Sequence, residues 1–373
     1  MLGVYLKHVF MVSCALLAIA LTIDIWPQFR LVTEGAGSAA GAVLRVAAFA
    51  ALRTPDLLSP LIPFAIFLGV VWSEVVHTQA GERMLVWNSG RSFVQCLAPA
   101  LFLGLMIGAV LFITDAWLGP AAMTVQMHQR LGRNGIRLDR TRPSGSHWIS
   151  SPDGLVRTEI VYGPPPRLKN LTIYTLDARG SLSQVESAAW ASPLGGDRWL
   201  LEQGHYWLAD IMANGASDDR MQITVGDMGE QTLIPFKKRI ATIKISPLWL
   251  SNVGIDPQYL SLPVLRQLSS AEADPLQKAR YRTRVETLYA DLVFPAAMAL
   301  LAALLSVRAF AYRIAPRDLI DVLLAGYLAH FANKAFQLMG QNEYAGPLVA
   351  AWTVPVLVLA GLMGMIWYTS RAR

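Results

Sequence analysis

Apolar and polar positions follow two different rhythms along this chain. Residues 1–120 and 288–373 hold long runs with almost no charge, whereas the stretch between them alternates over short segments and is interrupted by turn residues. About 20 apolar residues, at about 1.5 Å of helix rise each, cross a hydrocarbon core about 30 Å thick. Six runs reach that length: Val9–Phe29, Leu57–Val76, Phe93–Leu118, Leu288–Val307, Leu319–Met339 and Pro347–Trp367. Each is expected to be a helix, because an open backbone facing lipid would leave amide and carbonyl groups without partners.

The middle changes period. Val156-Arg157-Thr158-Glu159-Ile160 alternates, and Leu171, Ile173 and Thr175 alternate with Thr172, Tyr174 and Leu176. That is the pattern of strands with one buried face. Turn signals separate such segments at Gly163-Pro164-Pro165-Pro166, Asp177-Ala178-Arg179-Gly180, Gly195-Gly196-Asp197 and Asn214-Gly215. The spacing predicts an all-β sandwich or jelly roll of about 130 residues. Residues 262–287, with Ala271–Arg284 inside them, read as a polar helical lead-in to the fourth run. The expected fold is an α-helical polytopic membrane protein with an inserted β domain. Its segments are 1–120 with three spans, 121–260 with the β domain, 261–287 as helical linker and 288–373 with three more spans.

Composition supports the membrane reading. Of 373 residues 54% are hydrophobic and 16% charged, with mean hydropathy +0.39, against roughly 25% charged in soluble domains. The charges number 12 in residues 1–120, 36 in 121–287 and 10 in 288–373. The net charge of +6 is spread over run ends and the middle, not gathered in one basic patch with aromatics, which argues against nucleic-acid binding. Cys14 and Cys96 both lie in apolar runs and make no disulfide framework. Lys7 precedes an apolar stretch too long for a signal peptide, so an uncleaved first span is expected. Lys7, then Arg83 and Arg91, then Arg308, Arg313 and Arg317, then Arg371 and Arg373 share one side only if both termini are cytoplasmic. Residues 121–287 then lie outside the cytoplasm. Arg30, Arg45 and Arg53 in the first external loop oppose this, accompanied by Glu34 and Asp56.

Catalytic signatures are missing from the sequence. It holds no G-x-x-x-x-G-K-[ST] phosphate loop, no H-E-x-x-H and no G-x-S-x-G. The chain is therefore expected not to hydrolyse ATP itself and to need no cofactor. Glu74 and His77 have the E-x-x-H spacing of a di-iron ligand pair, but no second pair accompanies them, and they read as the polar end of span two. The histidines are scattered without metal-ligand spacing, so no metal is expected. Gly104 with Gly108, and Ala360 with Gly364, have the small-xxx-small spacing of closely packed helices, within the subunit or between subunits.

Ionisable groups within spans are costly and are the default functional candidates. Asp24 and Arg30 lie toward the external end of span one. His330, Lys334 and Gln337 fall at i, i+4 and i+7, on one face of span five near its external end. A cation there suits a lipid phosphate, and snorkelling to the interface is the plainer account of Lys334 and Arg30. Asp318 and Asp321, after Pro316, suit the N-terminal dipole of span five. Between spans two and three, residues 80–92 read as a short amphipathic helix, with Met84, Leu85 and Trp87 near one side and Gly90 as its stop. It would offer a knob to a soluble partner or rest on lipid.

In this loop Glu82 and Ser89-Gly90-Arg91-Ser92 match a known pattern. So do Gln28-Phe29-Arg30, Leu171-Thr172-Ile173-Tyr174, Trp199-Leu200-Leu201 and Gly346-Pro347 with Ala350-Ala351-Trp352 and Pro355. On these residues, nearly the whole chain resembles the LptF/LptG permease family of lipopolysaccharide export, its C-terminal half somewhat nearer LptG. The resemblance implies an inner-membrane ABC transporter subunit with three spans, a periplasmic jelly roll and three further spans. Implied partners are an LptB-like ATPase dimer, an LptF-like paralogous permease, LptC-like and LptA-like periplasmic bridge proteins, and lipopolysaccharide as cargo. Glu82, Arg83, Leu85, Trp87 and Gly90 would form the ATPase-coupling element. Spans one and five would line the lateral gate and cavity, with Asp24, Arg30, His330, Lys334 and Gln337 as lipid-binding candidates. Ile160, Leu171 and Ile173 would line the lipid path of the jelly roll. Asp24 departs from the basic residue one paralogue tends to have in that zone. A mechanotransmission ABC subunit, a membrane sensor whose β domain binds protein, and a membrane-embedded enzyme are the alternatives from other classes.

Overall fold

The computed structural model describes residues 1–82, 90, 93–140, 143–151, 154–177, 180–208, 234–271, 275–310 and 314–371. In chain order its elements begin with α1 (Leu2–Ile25), α2 (Phe29–Thr33), α3 (Ala39–Leu58), α4 (Ile62–Gln79), α5 (Phe93–Ile113), α6 (Gly119–His128) and α7 (Gly132–Arg137). The strands are β1 (Ser146–Ser151), β2 (Gly154–Val161), β3 (Arg167–Leu176), β4 (Leu182–Gly195), β5 (Arg198–Leu208) and β6 (Ile234–Thr242). Then come α8 (Pro247–Asn252), α9 (Leu262–Ala271), α10 (Pro275–Ala290), α11 (Phe294–Ala309), α12 (Pro316–Gln341) and α13 (Pro347–Arg371). These form two compact units: a helical one of Met1–Leu138, Ile255–Ser270 and Leu276–Arg373, and a second of Asp139–Gly254 with Ala271–Pro275.

Four stretches among the described residues are long and apolar enough to cross a bilayer: Leu2–Thr33, Ala39–Gln79, Gln95–His128 and Pro347–Tyr368. A fifth arises if the bent pair Gln277–Ala290 and Phe294–Ala309 counts as one span. The fifth sequence run lies in α12, whose 26 residues extend about 39 Å; Arg317, Asp318, Asp321 and Lys334 dilute its apolar character. The fourth run is not straight, since α10 and α11 meet at 49° across Asp291–Val293. Pro295 stands in the first turn of α11, where a missing N–H costs nothing, and it cannot continue the helix before it. Residues 39–58 were expected in an external loop and are instead α3. The segment is alanine-rich, and the Ser38 hydroxyl accepts the Gly41 N–H at 3.1 Å, capping the helix.

The core of the helical unit is built around α11, where Ala299, Ala302, Ala303 and Leu304 are fully buried among Phe67, Val70, Leu103 and Met298. Small residues set the spacing. A Cβ on Gly104 would stand 2.3 Å from the Ala296 Cα, and one on Gly108 would stand 2.3 Å from the Leu292 carbonyl oxygen. This small-xxx-small stripe therefore serves packing within the chain. Gly361 and Gly364 on α13 face open space.

The second unit is one antiparallel sheet in the order β1-β2-β3-β4-β5-β6. The alternation in the sequence becomes its buried face, along which Ile160 pairs Leu168, Leu168 pairs Ala191 and Ala191 pairs Leu201. Trp199, Ile243, Ile245 and Leu250 complete that core. The strand order is a simple meander, so the crossing connections of a sandwich or jelly roll do not occur among the six described strands. Alternation specifies which face is buried, not which strand is neighbour to which. The Asn214-Gly215 turn lies outside the described residues.

Gly104→Leu is expected to lower the thermal unfolding midpoint of the purified chain, a loss of about 1–3 kcal/mol or more from backbone overlap. Gly361→Leu should leave the midpoint unchanged; equal effects at the two positions would contradict the packing described.

Candidate functional site

Charged side chains meet at one end of the helical unit. On α3, Arg53 is 7% exposed and grips Asp24 with Nε at 2.9 Å and Nη2 at 3.0 Å. Its Nη1 donates to Asp56 at 2.6 Å, and the Tyr259 hydroxyl donates to the same carboxylate at 2.9 Å. Such a fork suits guanidinium geometry and lets one cation bridge both acids. Asp24 is thus engaged by protein.

A second group lies beside the first. Asp115 sits in a π-helical segment, Thr114–Leu118, that continues α5. It accepts from the Ser59 hydroxyl and from Arg284 Nη2, the latter at 2.9 Å. Arg280, Arg284, Thr287 and Asp291 recur at i, i+4, i+7 and i+11, one stripe running along α10 into the break after it. Lys334, Gln337 and Gln341 form a like stripe on α12, where Lys334 Nζ donates to Gln337 Oε1 at 3.3 Å. A cavity of about 90 Å³ is bordered by Asp56, Ser59, Asp115, Arg284, Asp291 and Lys334. Another of about 430 Å³ is bordered by Gln258, Arg280, Arg284, Lys334, Gln337 and Gln341, with Asp256 also on its wall. Arg284 and Lys334 border both. Two buried donors, Arg284 Nε and Gln337 Nε2, have no hydrogen-bond partner, a costly condition unless a ligand or solvent supplies an acceptor.

Of the residues singled out in the sequence, Lys334 and Gln337 come together at this cavity. His330 packs its ring 5.6 Å from that of Phe64, and its buried Nδ1 has no hydrogen-bond partner. Arg30 is exposed on α2. Arg53, Tyr259, Asp115, Arg284 and Asp291 were missed as site residues. Asp115 and Asp291 carried a readable signal, since both fall inside runs taken as spans, where an acid is costly. Arg284 carried none, standing in a polar segment.

At the other end of α4, buried His77 meets the Glu82 carboxylate through Nδ1 at 2.5 Å, while the Glu82 side chain stays 55% exposed. Glu74 accepts from the Tyr5 hydroxyl, and His8 Nδ1 lies 2.8 Å from Ser73 Oγ. Glu74 and His77 thus take separate protein partners. Gly90 has φ +72; Arg83, Leu85 and Trp87 lie outside the described residues. In the sheet unit Ile160 and Leu171 are fully buried. Ile173 is half-buried at the margin of that core, opposite Val156 and Glu186.

Apolar helices long enough to cross a bilayer, a polar cavity among them and an inserted antiparallel sheet describe a membrane-embedded protein. The particular family follows from residues 1–369, which match the model described as lipopolysaccharide export system permease LptF/LptG; the chain belongs to that family. No curated protein matches the chain. Family membership makes it a membrane-embedded permease subunit of the lipopolysaccharide-export ABC transporter, and not itself the ATPase.

Arg53→Ala should destabilise the helical unit by about 3–5 kcal/mol, because two acids lose their shared cation. Arg53→Lys should recover only part, since one ammonium cannot fork to both. Thermal unfolding of the purified chain checks this, and full rescue by lysine would contradict it.

Proposed function

We propose that this chain takes lipopolysaccharide from the outer leaflet of the inner membrane and passes it toward a periplasmic bridge, with a phosphoryl group of the lipid held between α10 and α12. The observation that carries this reading is that Arg284 and Gln337, which border the 430 Å³ cavity beside Lys334, each hold a buried donor without an acceptor, Nε and Nε2. A phosphoryl group brings several acceptor oxygens and negative charge together, matching that set. Arg30, exposed on α2, is an outlying phosphate contact.

In this reading the chain crosses the membrane six times with both termini cytoplasmic, and the sheet unit lies in the periplasm. An LptF-like paralogue completes the lateral gate, and the pattern of the C-terminal half supports the LptG-type place in that pair. An LptB-like ATPase dimer docks on residues 81–92, with Glu82 tied back to α4 through His77. Closure of the motor narrows the cavity and drives the acyl chains outward. The chains require apolar cover, since each methylene exposed to water costs about 0.8 kcal/mol. The antiparallel sheet would supply that cover through Ile173 and, if its core opens, Ile160 and Leu171, before LptC-like and LptA-like proteins take over.

With a photo-reactive residue at Leu338 on the cavity wall, Lys334→Glu should cut lipopolysaccharide crosslinking about tenfold; unchanged crosslinking would leave the lysine only snorkelling. Glu82→Arg in the assembled transporter should reduce ATP-driven lipid release, and wild-type release would remove the coupling role.

A further inference from the structure

The small cavity has an uneven set of charges. Asp56, Asp115 and Asp291 border it, with Arg284 and Lys334 as the cations. Asp56 already belongs to Arg53, which leaves two carboxylates facing two cations. Arg284 turns one edge, through Nη2, to Asp115 at 2.9 Å, while its Nε has no acceptor. Asp291, 7% exposed, borders the cavity with Lys334.

Both carboxylates stand where a helix is irregular. Asp115 lies in the π-helical segment, and Asp291 opens the three-residue break between α10 and α11. Such irregularities mark places where a helix can shift register locally. The two are also tied together. Gly108, seven residues before Asp115, lies so close to the break that a Cβ there would meet the Asp291 carbonyl oxygen at 3.4 Å and that of Leu292 at 2.3 Å. Movement of α5 against the break would therefore carry Asp115 relative to Arg284 and Asp291.

We infer that Asp115 and Asp291 are resident counter-ions of Arg284 and Lys334, exchanged for the lipid phosphoryl group when it enters and returned to displace it on release. The inference rests on the phosphoryl reading of the neighbouring cavity. Its physical basis is that a buried cation is stable only with an opposite charge at hand. A phosphoryl group added beside Asp115, already paired with Arg284, and Asp291, which borders the same cavity as Lys334, would over-neutralise the site, so the anions compete. The competition lowers affinity for lipid and makes release easier, because the cations are never left bare. Asp115 and Asp291 are thus positioning residues for lipid handover.

The test uses the assembled transporter, this chain with its paralogous permease and ATPase in nanodiscs, loaded with lipopolysaccharide that carries or lacks its phosphoryl groups. Asp291→Asn and Asp115→Asn should each raise retention of the phosphorylated lipid about three- to tenfold and slow its ATP-driven release. Retention of the dephosphorylated lipid should not change, a selectivity that a general packing defect would not produce. Retention at or below the wild-type level in both variants overturns the inference. Lys334→Gln separates the two readings. If it abolishes the preference for phosphorylated lipid while neither asparagine variant raises it, only the counter-ion inference falls. If it leaves the preference intact, the phosphoryl site falls and this inference with it. The double change Asp291→Asn with Lys334→Gln keeps the net charge of the cavity and serves where the single change does not assemble. It should show no preference, and a wild-type preference overturns the inference.

Discussion

An ionised side chain among membrane-crossing helices must keep an opposite charge within reach, and that requirement organises one end of the helical unit. Arg53 joins α3 to the end of α1 because Asp24 and Asp56 both need a cation. Arg284 joins α10 to the π-helical segment because Asp115 needs one too. These contacts are weak evidence for stability, since desolvation offsets much of their attraction. They do fix which helices are neighbours, because losing either partner strands a charge in a medium of low dielectric.

The two ends of α4 divide the work. Near its start the preceding turn supplies Ser59 to Asp115, within the polar cavity. At its far end His77 holds Glu82, and the neighbouring Glu74 and Ser73 take Tyr5 and His8 of α1. A helix of 18 residues is about 27 Å long, so one element connects the His77–Glu82 contact with the polar cavity. Between its ends α4 packs on α11, whose buried alanines let neighbouring backbones approach. Close-packed interiors transmit displacement instead of absorbing it.

Much of the sheet unit was legible in residue order. Val156, Thr158 and Ile160 alternate because one face is buried, and Leu168 and Leu171 continue it across β3. The meander was not legible, because period 2 says which side a residue takes and nothing about its partner strand. Nor was the mixed character of the inner face, where Glu186 pairs with Arg239 at 3.1 Å and that guanidinium lies 4.2 Å from the Tyr206 ring centroid. Glu186 and Tyr206 are register partners only once β4 and β5 are aligned.

By itself the sequence determined that long apolar helices flank a strand-rich insert and that the chain has no nucleotide loop. It also placed the family and marked Lys334 and Gln337 as neighbours on one helical face. Those features are local or periodic, and hydrophobicity at a fixed spacing is enough to write them. The tertiary structure decided that residues 39–58 form a helix, that the fourth run breaks at Asp291, and that Arg53 and Arg284 meet acids on distant segments. Pairing of charges across about 30 to 170 positions of chain depends on how helices pack. Periodicity describes one face of one element, and no such local signal says which other face will come to lie against it.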